Sequence, residues 1–128
     1  MTANAFPKIL IIEDDVVLKK ILEDKLTQKK FSVLTAQNGE EGLKMALKNK
    51  PDLILLDILM PKMNGVDMLK KLRQDKWGKI VSVLLLTNDS DPEHMREVLR
   101  ANADDYLIKS DWGLDDIVEK IKKTLKLG

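Results

Sequence analysis

Glu13, Asp14, Asp57, Thr87 and Lys109 have the side-chain types and positions for one piece of chemistry. Asp57 follows the apolar run Leu53 to Leu56 and precedes Ile58-Leu59-Met60-Pro61 and a turn closing on Asn64-Gly65. A run of that length between turn residues reads as a strand buried on both faces, which presents Asp57 at its carboxyl end. Glu13 and Asp14 follow Lys8 to Ile12, Thr87 closes Ile80 to Leu86, and Lys109 follows Asp105 to Ile108. Each of these groups therefore stands where a short strand ends. Carboxylates gathered at one place repel unless a cation joins them. An open, all-oxygen, partly hydrated set suits Mg²⁺ better than Ca²⁺. With Mg²⁺ and the Lys109 ammonium neutralising the oxygens of a transferring phosphoryl group, and Thr87 donating a hydrogen bond to one of them, Asp57 is placed as a nucleophile forming an acyl phosphate.

These groups meet only if the chain builds a parallel sheet under them. Val17, Leu18, Ile21, Leu22 and Leu26 give helical periodicity between Asp15 and Lys30, and Phe31 to Ala36 reads as a strand. Asn38, with Glu41 three positions on, caps a second helix whose inner stripe is Leu43, Ala46 and Leu47, ended by Asn49-Lys50-Pro51. A third helix starts at Asn64 or Gly65, turns Val66, Leu69 and Leu72 inward and stops near Trp77-Gly78. Asp91 and Pro92 open a fourth, with Met95, Val98 and Leu99 facing the core. Leu114, Ile117, Val118, Ile121 and Leu125 form the stripe of the last. Strands alternating with helices predict an α/β fold, a doubly wound five-stranded parallel sheet with right-handed crossovers. Strand order 2-1-3-4-5 is expected, which sets the first and third strands side by side, about 4.8 Å apart, and brings their terminal carboxylates together.

Composition narrows the function classes. Lys and Arg number 22 against 21 Asp and Glu, a net charge of +1, so no global field favours nucleic acid or an anionic membrane, and no direct DNA binding is expected. The absence of cysteine excludes disulfides, thiolate metal sites and cysteine nucleophiles. Ile9 to Ile12 is too short for a signal peptide, and Ile80 to Leu86 falls well below the roughly 18 apolar residues of a membrane span. The expectation is a cytoplasmic protein without a membrane anchor.

In order along the chain, the acid pair Glu13-Asp14, the stretch D-x-x-M-P-x-M-N-G from Asp57 to Gly65, Thr87, and Tyr106 three residues before Lys109 make the sequence resemble the receiver domain of bacterial two-component response regulators. The resemblance runs from Lys8 to about Leu125 and is of the stand-alone, chemotaxis-regulator kind. It implies a flavodoxin-like fold over residues 1–128 as one receiver domain, core about 8–126, with no output domain. It also implies that Asp57 accepts a phosphoryl group from a sensor histidine kinase or a histidine phosphotransfer protein. Asp14, Asp57 and the backbone carbonyl of Leu59 would bind Mg²⁺ directly, and Glu13 through water. Thr87 would turn toward the phosphoryl group and Tyr106 would swing inward, altering the helix 4, strand 5 and helix 5 face for a downstream protein. Such a domain is no conventional enzyme, yet it catalyses its own phosphorylation and dephosphorylation. It is expected as a monomer, with pairing on phosphorylation the alternative.

The sequence departs from the family at Ser110, where proline after a cis peptide is usual, so Lys109-Ser110 is either cis or the loop takes another path. Asn88, Asp89 and Leu59 stand where they would tune the lifetime of the acyl phosphate. Asp15 reads as a cap or surface residue, and His94, the sole histidine, as a surface residue. Tyr106 could equally be ordinary packing at a sheet edge. Competing readings fit less well. An aspartate-nucleophile Mg²⁺-dependent phosphatase of the haloacid-dehalogenase type needs a second aspartate where Leu59 stands. A nucleotide binder would not put Glu13-Asp14-Asp15 against a phosphate. A phosphorylation-independent scaffold would not need an intact acceptor constellation.

Overall fold

The computed structural model describes residues 6–127. Five parallel strands, β1 (Lys8–Ile12), β2 (Ser32–Ala36), β3 (Leu53–Leu56), β4 (Ser82–Thr87) and β5 (Asp105–Ile108), form one sheet in the order 2-1-3-4-5. The helices are α1 (Val16–Gln28), α2 (Gly39–Asn49), α3 (Gly65–Leu72), α4 (Pro92–Arg100) and α5 (Leu114–Thr124). This is the expected doubly wound fold.

Alternation along the strands divides the core into two halves. Leu10, Ile12, Ile54, Leu56, Val83 and Leu85 point to one side and pack with Ala46, Val66, Leu69, Leu72 and Val98 of α2, α3 and α4. Their neighbours Ile9, Ile11, Leu53, Leu55, Leu84 and Leu86 point to the other and pack with Leu22 and Leu26 of α1 and Ile117, Val118 and Ile121 of α5. Strands this apolar on both faces must be covered on both, which is why they read as unbroken hydrophobic runs.

Helix ends follow local chemistry. Asp15 caps α1, its Oδ1 accepting from the N–H of Val17 at 3.0 Å and Leu18 at 3.1 Å. Asn38 accepts from Glu41 N at 2.8 Å, and Glu41 Oε1 accepts in return from Gln37 N at 3.0 Å. Lys50 ends α2 in the left-handed region at φ 46°, just before Pro51.

The structure corrects several boundaries. Helix α3 ends at Leu72, short of Trp77-Gly78, because the chain then folds around the Arg73 side chain. Arg73 donates to four main-chain carbonyls: Nε to Ala101 at 2.8 Å, Nη1 to Gly78 at 2.7 Å and Val81 at 2.8 Å, and Nη2 to Asn102 at 2.9 Å. Ile80 precedes β4 and is 82% exposed. On α1, only Leu22 and Leu26 of the apolar set are buried, while Val17 and Ile21 are exposed, the set being wider than the arc that meets the sheet. Leu99 of α4 is likewise exposed, and Val98 alone is fully buried there.

Gly65 marks a close approach beneath the site. A Cβ there would lie 2.2 Å from the Asp57 carbonyl oxygen and 2.9 Å from Ile58 Cα, both backbone atoms that cannot turn aside. Gly65→Ala is therefore expected to destabilise the fold by about 1–3 kcal/mol, the usual cost of overpacking. A urea titration checks this, and an unchanged midpoint would contradict the tight fit.

Candidate functional site

Register puts the acids at one rim. Ile12 pairs with Leu56 across β1 and β3, so Glu13 and Asp57 occupy the first position beyond each strand. Main-chain bonds fix both: Asp57 N donates to Ile12 O at 3.0 Å, and Glu13 N to Ala36 O at 3.0 Å. Glu13 is 2% exposed and Asp57 4%, whereas Asp14 is exposed. One carboxylate oxygen from each of Glu13, Asp14 and Asp57 falls within 4.8 Å of the others.

Lys109 reaches into this group. Its Nζ lies 2.8 Å from Glu13 Oε1 and 3.0 Å from Asp57 Oδ2. Burial opposes the Lys109 charge, but the hydrogen bonds to Glu13 and Asp57 outweigh it, and its pKa stands above the usual 10.5. Glu13 shows the opposite balance: burial raises its pKa to about 7, against the lowering effect of Lys109 and of the Asp15 N–H. Asp57 Oδ1 accepts from Ile58 N at 2.7 Å.

The support of Lys109 settles the choice that Ser110 left open. No cis peptide occurs among the described residues, so the loop takes the other path, a single 3₁₀ turn over Lys109–Asp111. Ser110 has the N–H that proline lacks, and donates it to Asn88 Oδ1 at 3.2 Å. Asn88 thus ties the end of β4 to the loop carrying Lys109.

Thr87 is fully buried at the end of β4, and its Oγ1 accepts from Asp89 N at 3.1 Å. Since that bond uses an oxygen lone pair, the hydroxyl hydrogen stays free to donate. Tyr106 is half-buried on β5, and its hydroxyl donates to the Asp89 carbonyl. Burial, followed by the nearby Asp89 charge, pushes the phenol up to about 12. Leu59 stands in the β3–α3 loop, 56% exposed.

One relationship was not legible in the sequence. Asp89 is 8% exposed, and its Oδ2 meets His94 Nδ1, so the histidine is no free surface group. The only hint was position, two residues inside the Asp91-Pro92 helix start, from which a side chain can reach back to the preceding loop.

The model of the response regulator receiver domain matches residues 9–122. The chain belongs to that family. The receiver is 38% identical over 121 residues to a probable transcriptional regulatory protein, SilR, of Salmonella typhimurium, covering 94% of this chain and 52% of that protein. It is 38% identical over 102 residues to the alkaline phosphatase synthesis transcriptional regulatory protein PhoP of Bacillus subtilis, covering 80% of this chain and 42% of that one. The chain thus spans about half the length of these curated relatives. Among solved structures, a CheY-like receiver domain protein from Methanospirillum hungatei matches with a TM-score of 0.89 at 29% identity, over 95% of both chains. Chemotaxis protein CheY4 of Vibrio cholerae matches at 0.85 and 27% identity, over 93% of this chain and 98% of that one. The receiver is a signal-transduction module of two-component systems. No helix among its described residues is long and apolar enough to cross a membrane.

Proposed function

We propose that this receiver is a phosphoacceptor switch, with Asp57 taking a phosphoryl group from the phosphohistidine of a sensor histidine kinase or histidine phosphotransfer protein. The observation that carries the reading is the Lys109 ammonium held 3.0 Å from Asp57 Oδ2 at the mouth of β3. A carboxylate oxygen of Asp57 attacks phosphorus, the P–N bond breaks, and the electron pair leaves with the donor imidazole. Lys109 stays charged throughout and offsets the negative charge on the phosphoryl oxygens, while the Thr87 hydroxyl hydrogen donates to one of them.

The donor set fits a hard divalent cation, being all oxygen, with Asp14 open to solvent and Glu13 and Asp57 beside it. Asp14, Asp57 and the Leu59 carbonyl would hold Mg²⁺, with Glu13 acting through water. Bound there, Mg²⁺ supplies the charge neutralisation that lets an anionic carboxylate meet an anionic phosphoryl group.

The approach to the rim is apolar. Val16 and Val17 stand exposed on the first turn of α1, and a groove of about 320 Å³ runs between α1 and α5, lined by Leu18, Ile21, Trp112 and Leu114 beside Lys109. These residues suit docking of the phosphohistidine-bearing helix. Movement of Thr87 and Tyr106 then alters the face of α4, β5 and α5 for a downstream protein, and water returns Asp57 to the free carboxylate. Asn88 and Leu59 set how easily that water enters.

Incubation with a small phosphodonor and Mg²⁺ is expected to give an acid-stable, base-labile adduct on the wild type. No adduct is expected on Asp57→Asn. An adduct of equal yield on Asp57→Asn would overturn the assignment.

A further inference from the structure

Asp89 is the point at which the two candidate switch residues meet. Its N–H donates to Thr87 Oγ1 at 3.1 Å, and its carbonyl accepts from the Tyr106 hydroxyl. Its carboxylate is also committed: Oδ1 accepts from Asp91 N at 2.9 Å, and Oδ2 meets His94 Nδ1 on the first turn of α4. A carboxylate can only accept, so Nδ1 carries a proton and Nε2 is the nitrogen that titrates.

We infer that His94 is a positioning residue of the switch: its positive charge clamps Asp89 and, through the Asp89 main chain, sets how firmly Thr87 and Tyr106 are held. The surroundings favour that charge. Asp89 and Asp91 face the imidazole from the β4–α4 loop, the latter at 3.9 Å, and Glu97 adds to them from α4 itself. From α3, Lys70 is directed to Glu97 at 3.4 Å, and Arg96 pairs with Glu93. From β5, Tyr106 presents a hydroxyl to the Asp89 carbonyl. The hydrogen bond to Asp89 raises the His94 pKa above 6.5 despite partial desolvation. With a raised folded pKa, the clamp is charged at low pH and weakens as pH rises through the folded value.

The consequence is a proton-sensitive switch. By linkage, any event that loosens the Asp89 carboxylate from His94 lowers the proton affinity of His94, and protonation of His94 opposes that event in return. This regulation rests on the phosphoacceptor reading only for its effect on signalling, because the coupling itself exists in the unphosphorylated chain.

The sequence has one histidine and one tyrosine, so each ring reports alone in a nuclear magnetic resonance spectrum. On the untagged, unphosphorylated protein, the His94 ring is expected to titrate with a midpoint above 6.5 that falls back toward 6.5 in Asp89→Asn. The Tyr106 ring resonances are expected to inflect at that same midpoint, and to lose the inflection in His94→Gln while amide resonances of the other sheet face stay in place. Tyr106 signals that stay flat across the His94 midpoint, or a His94 midpoint at or below 6.5, overturn the inference. Repeating the titration on Asp57→Asn, which cannot be phosphorylated, is expected to preserve the linked inflection. A failed adduct test and a failed titration are therefore distinguishable.

Discussion

Lys109→Met is expected to slow phosphoryl uptake from a small donor by about 100- to 1000-fold, the loss typical of removing one charge-stabilising donor from a preorganised site. Lys109 is held by two buried carboxylates, 2.8 Å from Glu13 and 3.0 Å from Asp57, and needs no reorganisation as charge builds on the phosphoryl oxygens. Methionine keeps much of the stem and removes only the ammonium that pairs with Glu13 and Asp57. Lys109→Arg is expected to recover only part of the rate, because a planar guanidinium does not occupy the space of a point charge between two carboxylates. Adduct formation against time at saturating donor measures this. Uptake within about threefold of wild type in Lys109→Met would remove Lys109 from the transfer step.

The second large effect concerns stability. Arg73→Met is expected to lower the unfolding free energy by about 2–4 kcal/mol, or roughly 10 °C in Tm. The guanidinium joins the end of α3, the approach to β4 and the end of α4 through the carbonyls of Gly78, Val81, Ala101 and Asn102. Removing it leaves four acceptors to find water in a partly buried place. Burial lowers the Arg73 pKa, yet a guanidinium stays charged at any working pH. Lysine cannot imitate the fork, so Arg73→Lys is expected to fall nearer to Met than to wild type. Urea unfolding gives the answer: a lower midpoint at unchanged slope supports it, and a shift under about 0.5 kcal/mol would show that the loops hold without the staple.

These two residues illustrate what the sequence conveyed and what it did not. Lys109 was legible because it directly follows a short strand, and in a parallel sheet all strand ends share one rim. Asp57, Glu13 and Thr87 were legible for the same reason, each being the first polar group after a buried apolar run. Arg73 was not, since an arginine among lysines near a helix end reads as a solvated charge. Its partners are main-chain carbonyls, and main-chain atoms carry no sequence signal. His94 does lie at the surface, but its contact was missed for a related reason: its partner Asp89 lies five residues away across a helix start, and the turn at Asp91 folds the chain back between them. Val17, Ile21 and Leu99 fit the helical period but lie outside the arc that meets the sheet, which depends on how each helix sits rather than on spacing.

The sequence alone determined the order of strands and helices, the two-sided burial of the sheet, and the identity of the polar groups at its rim. Those properties follow from hydrophobic periodicity and turn chemistry, which act over a few residues. Tertiary structure decided the rest. It brought Lys109 onto Asp57 across 52 residues of chain and onto Glu13 from further still, made Asn88 the acceptor for Ser110, and joined Thr87, Tyr106 and His94 through Asp89. Each of those contacts depends on the relative placement of loops from different crossovers, and such placement is set by packing of the whole domain.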